Sequence, residues 1–194
     1  MRRATVLVAM AAVAVLAACS RQEEAAAPPP PAPGTPEWKI ANALSAAPEA
    51  VASGAKVMDW PASDTAQPAT LREGANGWTC MPDDPNSPAN DPGCADEEME
   101  RYWDAWMQRT PPRLTGMAVG YALQGFQIAS LTDPFKTAPD SGQAWIDVPS
   151  AVMMAVPTRA SYAGLPTAPA AGPWVLWANT PFAVIIVPAA RPAN

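Results

Sequence analysis

Apolar and polar positions divide the chain into one strongly helical stretch and a series of extended ones. After position 96 the apolar period is that of a helix. Met99, Tyr102, Trp103, Trp106 and Met107 follow at three- and four-residue steps, with Glu97, Glu98, Glu100, Arg101, Asp104 and Gln108 on the other face. Asp96 is the expected N-cap, and acidic residues in the first turn with Arg109 in the last suit the helix dipole. Pro111 and Pro112 stop the helix. The stripe predicts a helix buried against a sheet, with Trp103, Trp106 and Met107 facing Met117, Val119 and Tyr121. A groove lined by the same aromatic stripe is the alternative.

Elsewhere the pattern is weaker or has period two. Residues 37–52 read as two short helices broken near Pro48 and ended by Gly54. Residues 56–60 and 71–81 read as extended segments, with Asn76 and Gly77 as a tight hairpin turn inside the second. The clearest strand runs over 116–123, its two glycines pointing to close approach of a neighbour. Residues 124–143 read as a long loop and 158–172 as another. Strands are expected over 145–148, 151–156, 173–178 and 182–187; the unbroken apolar run 184–187 fits a strand covered on both faces. Several strands around one strong helix predict an α+β fold, a mostly antiparallel sheet packed by that amphipathic helix. A β-sandwich with helical decoration is the alternative.

The N-terminus changes where such a domain would live. Arg2 and Arg3 precede an apolar run over 4–18, shorter than the ~20 residues that span a bilayer. Leu16, Ala17, Ala18 and Cys19 resemble a bacterial lipobox, which implies cleavage before Cys19 and lipidation of that cysteine; an ordinary signal peptide is the alternative. Residues 1–18 are thus the expected leader. Residues 19–36 are a lipidated cysteine with a Pro/Ala-rich tether of polyproline type, and 37–194 form a single globular domain. Ser20 after the cysteine resembles the outer-membrane sorting pattern, so the expected location is the periplasmic face of the outer membrane. Export to an oxidising compartment leaves Cys80 and Cys94 as a disulfide pair, closing a loop rich in proline, Asp and Asn.

Charge narrows the partners. Removing Arg2 and Arg3 from 12 basic residues leaves ten against 18 acidic ones, a formal charge of −8. That balance disfavours nucleic acid and anionic headgroups, so membrane attachment falls to the lipid. The chain has no histidine, which removes Ser-His-Asp and Cys-His machinery and the usual zinc sites. Neither a G-x-S-x-G nucleophile elbow nor a phosphate-binding glycine loop occurs. Asp83, Asp84, Asn86, Asn90 and Asp91 carry oxygens that calcium favours, but the segment from Asp84 fails an EF-hand at its third ligand and its glycine. Turn formation accounts for these residues, and no metal or cofactor is expected. Asp59, Glu73, Asp133 and Asp147 remain as carboxylates for a glycosidase-like pair, with nothing in their spacing to favour one.

The ordered segments GANGWTCMPDDP, NDPGCADEEM, WDAWM, VGYALQG, SLTDPF, AGPWVLWANTPFA and IIVP resemble a family of secreted, lipid-anchored bacterial proteins with no established activity. The resemblance spans residues 41–188 and implies common descent without a substrate. Members of that family often carry a histidine after the proline matching Pro149 and another near Val184; here those positions read Ser150 and Ala183, Val184, Ile185.

The expected function is that of a lipid-anchored envelope protein that binds an envelope protein or small ligand without catalysis. A carboxylate-dependent hydrolase and a purely structural component are the alternatives. The candidate ligand loop is 124–143, where Asp133 and Phe135 pair a polar group with an aromatic ring. The competing reading makes Asp133 a turn residue and Phe135 a plug pinning the loop to the domain.

Overall fold

A computed structural model of the chain describes residues 29–63 and 66–190, the side chains of Arg159 and Ala160 apart. The chain divides into two compact units, Met1–Pro30 and Pro31–Asn194. Of the first, only residues 29 and 30 are described. The expected leader, Cys19 and most of the tether therefore lie outside the described residues.

The second unit is a mixed α/β domain built on one large sheet. Its helices are α1 (Pro36–Leu44), α2 (Glu49–Ala52) and α3 (Glu97–Met107). Its strands are β1 (Lys56–Met58), β2 (Thr70–Arg72), β3 (Trp78–Met81), β4 (Gly93–Asp96), β5 (Ala118–Ala122), β6 (Phe126–Ile128), β7 (Ile146–Val148), β8 (Ala151–Ala155), β9 (Trp174–Leu176) and β10 (Val184–Pro188). Eight strands form a sheet in the order β2-β1-β3-β4-β5-β8-β10-β9, and β6 pairs with β7 in a separate ribbon. Among the described residues every pairing is antiparallel except β1 with β3.

Three expectations about the extended segments change. The segment 71–81 is not a hairpin, because β1 inserts between β2 and β3 and pairs with both. Asn76 instead ties this connection to α2: its amide donates to the Val51 carbonyl at 2.8 Å, and Gly77 takes the left-handed backbone that follows. Residues 93–96, outside the expected strands, form β4. The expected long loop 124–143 opens with strand β6, whose three residues are too few for a period to declare itself.

Helix α3 starts where expected. The Asp96 carboxylate accepts the Met99 N–H at 2.7 Å as N-cap, and its other oxygen accepts the Val119 N–H of β5 at 3.0 Å. One carboxylate thus starts the helix and ties it to the neighbouring strand. The contact with the sheet differs from the expected one. Met99 and Tyr102 are the buried members of the stripe, while Met107 is 47% exposed and Met117 51%. On β5 the buried positions are Ala118, Gly120 and Ala122, not Val119 and Tyr121. A Cβ on Gly120 would stand 3.2 Å from Met99, and one on Gly93 would stand 3.1 Å from the Trp103 ring. Two glycines on adjacent strands thus let α3 side chains reach the sheet backbone. Since i and i+2 share a strand face, choosing Gly120 forces Val119 and Tyr121 to the other side.

The sheet carries a core on each face. Met99 and Tyr102 are buried with Ala95, Ala118, Trp174, Leu176, Phe182, Val184 and Ile186. Ala43, Ala46, Ala47 and Ala55 of the α1–α2 region are buried with Val57, Cys80 and Cys94, with Trp78 and Tyr121 against them. Val184 and Ile186 are buried, whereas Ile185 and Val187 are only half-buried, so the run 184–187 is covered unequally on its two sides.

Candidate functional site

Cys80 and Cys94 are opposed partners on β3 and β4 and are joined by a disulfide. The loop they close is held by its own carboxylates. Asp83 accepts the Asp91 N–H at 3.1 Å, Asp91 accepts the Asp84 N–H at 3.1 Å, and Asp84 accepts the Asn86 N–H at 2.9 Å. Asn42 of α1 anchors the loop by accepting the Asp83 N–H and donating to Asn90, both at 2.7 Å. These oxygens are spent on turns, and among the described residues no three metal-ligating side chains converge. Burial, then the neighbouring Asp83, pushes the Asp91 carboxyl up to about 6 against hydrogen bonds from Ser87 and Asp84 that lower it.

A cavity of about 340 Å³ lies on the α3 side of the fold. Tyr102 of α3 contributes to its wall. The remaining lining is Pro112, Arg113 and Leu114, then Ala155, Val156 and Pro157 at the end of β8, Tyr162, and Thr180, Pro181 and Ala183 before β10. Local sequence explains each segment. Arg109 takes a left-handed backbone after α3, and the two prolines that follow keep the chain extended past the rim. Tyr162 ends the 3-10 turn Arg159–Tyr162; its hydroxyl accepts the Val156 N–H at 3.2 Å and donates to the Ala183 carbonyl at 2.8 Å. The Tyr102 hydroxyl donates to the Phe182 carbonyl at 2.6 Å. Burial, with a smaller contribution from Tyr162, pushes the Tyr102 hydroxyl above the ordinary tyrosine range, so it remains a protonated donor.

The wall segment 180–183 hangs from a strained residue. Trp177 has φ of 53°, a region that a bulky side chain rarely enters. Its backbone N–H donates to the Leu131 carbonyl at 3.1 Å and its indole N–H to Ser130 at 3.0 Å, while its own carbonyl accepts both donors of Thr180 at 2.9 Å. Such a conformation costs on the order of 1–3 kcal/mol and persists only where the surroundings over-determine it. Here four hydrogen bonds hold the residue, and the turn they stabilise forms one wall of the cavity.

The other expected site residues are engaged separately. Asp133 is exposed and accepts the Phe135 N–H at 2.9 Å, a turn-forming contact. Phe135 packs edge-on against Phe182, ring centres 5.0 Å apart, beneath the Arg109 guanidinium at 5.2 Å. The Trp106 indole donates to the Pro134 carbonyl at 2.9 Å. Neither Asp133 nor Phe135 lines the cavity. The scattered carboxylates do not share a site: Asp59 is paired with Lys39 at 2.6 Å, Asp147 accepts from Gln127 at 2.6 Å, and Glu73 is exposed. Ser150 is buried, and its hydroxyl is the buried side-chain polar atom without a partner among the described residues.

Sequence reasoning passed over Arg113 and Tyr162. The two prolines before Arg113 marked the end of a helix, but nothing in the linear pattern says that 113, 156, 162 and 181 share one wall. Among the described residues no helix is long and apolar enough to cross a membrane. No family model, curated protein or solved structure matches the chain.

Proposed function

We propose that the protein is an exported lipoprotein, anchored through Cys19 at the periplasmic face of the outer membrane, whose folded domain binds a small ligand and does not transform it. The architecture we assign is α+β, with α3 as the helix that packs the sheet. The observation that carries the binding reading is the make-up of the 340 Å³ cavity: among the described residues no carboxylate, thiol or lysine lines it, and both its tyrosine hydroxyls already donate to backbone carbonyls. A wall of that kind supplies shape, aromatic surface and fixed dipoles, the elements of recognition, and holds no evident nucleophile with a base beside it.

The test is a ligand screen by NMR on the full chain in detergent micelles. Saturable shifts of Leu114, Tyr162 and Ala183 are expected from small polar compounds. A screen in which every hit maps to other residues refutes the cavity as the site. The anchor is tested separately: Cys19→Ser should release the protein from the membrane fraction, and mass spectrometry finding an unlipidated mature N-terminus elsewhere refutes it.

A further inference from the structure

The cavity's charge indicates what it takes, an inference that rests on its being a binding site. The chain holds 18 acidic residues against 12 basic ones, and five of the seven cationic side chains described are committed. Lys39, Arg101 and Lys136 sit in ion pairs, Arg72 donates to the carbonyls of Ala52 and Ser53, and Arg109 covers Phe135. Arg113 is different. It is exposed at the cavity, and no hydrogen bond or ion pair joins it to any described residue. No acidic side chain lines the cavity to neutralise it. In a protein of net charge −6, this unpaired guanidinium stands at a cavity that no carboxylate lines among the described residues.

The rest of the wall is poor in donors. Pro112, Pro157 and Pro181 bring carbonyls and no N–H. The Val156 N–H is given to Tyr162 and the Ala183 N–H to the Thr180 carbonyl. A ligand therefore meets one cationic donor, several carbonyl acceptors, and proline and tyrosine surface. One guanidinium without lysine or a glycine-rich loop matches a single negative charge better than a phosphate, and its fork fits a carboxylate in two parallel bonds. A volume of about 340 Å³ lies at the small end of ligand cavities. We infer that the cavity binds a small organic acid: a carboxylate held by Arg113, with an N–H facing the wall carbonyls and an apolar body against Tyr162 and the prolines.

Hippurate, which carries a carboxylate, an amide N–H and a ring, is a suitable probe, and hippuramide is its neutral counterpart. With the full chain in micelles, hippurate should shift Leu114, Tyr162 and Ala183 saturably. R113Q should weaken it by about ten-fold or more, R113K by less, because the fork is lost while the charge stays. Hippuramide should bind wild type as weakly as hippurate binds R113Q, and lose nothing further in that variant. Because Arg113 is exposed and unbonded, its replacement leaves the fold intact, which unchanged resonances elsewhere will verify. Equal binding of hippurate to wild type and R113Q, or of acid and amide to wild type, overturns the assignment while leaving the cavity as a site for neutral ligands. So does silence toward hippurate where other compounds bind. If no compound of any charge reaches these residues, the cavity reading itself fails.

Discussion

Replacing Asp91 by Asn isolates the electrostatics of the disulfide loop. Asp91 is half-buried beside Asp83, and its carboxyl is raised from 3.8 to about 6. A group whose folded value exceeds its unfolded one stabilises fully below the unfolded value. That contribution fades as pH rises and is gone above the folded value. Wild type should therefore lose stability at this residue between pH 3.8 and about 6. At full weight the shift is worth roughly 3 kcal/mol. Solvent reaches the group and screens it, so about 1–2 kcal/mol is the expected size. Asn is neutral throughout and keeps an oxygen to accept the Asp84 N–H. D91N should thus match wild type near pH 3.5 and exceed it by about 1–2 kcal/mol at pH 7. Urea unfolding of both proteins across this range measures the difference, in which other carboxylates cancel, including Glu98, held low by the Thr115 hydroxyl. Burial is the main cause of the Asp91 shift and Asp83 a lesser one, so D83N should narrow the wild-type loss only in part. A D91N curve parallel to wild type, or one below it at pH 7, refutes the reasoning.

Two further predictions concern the frame around the site. Cys80→Ser with Cys94→Ser should cost about 3 kcal/mol, the chain-entropy value for a loop of this size; a double variant that melts with wild type would show that Asn42 and the Asp83–Asp91 contacts already hold the loop. Met99→Ala should cost about 2–5 kcal/mol and Met107→Ala close to nothing, although both lie on one apolar stripe; equal losses in denaturant titrations would contradict the burial described above.

Helix α3, its cap at Asp96 and the break at Pro48 were legible because each depends on neighbours a few residues away, while the cysteine pair, 14 residues apart, was legible from the cysteine count. A helix reads its own period, a cap bonds three residues ahead, and proline removes its own N–H. The face that α3 presents was only half legible. Periodicity placed Met99 and Met107 on one stripe, but which end meets the sheet depends on where Gly93 and Gly120 leave room, 6 and 21 residues from Met99. Strand order was not legible at all: β1 enters between β2 and β3 through pairings that no local signal encodes. The cavity belongs to the same class. Arg113, Val156, Tyr162 and Pro181 carry no motif, and they meet only because tyrosine hydroxyls fasten the carbonyls of Phe182 and Ala183 between α3 and the end of β8. Composition determined that histidine chemistry is absent and that basic groups are scarce. Tertiary structure decided which of the described cations stay unpaired, because an ion pair forms between groups that the fold, not the chain order, brings within reach.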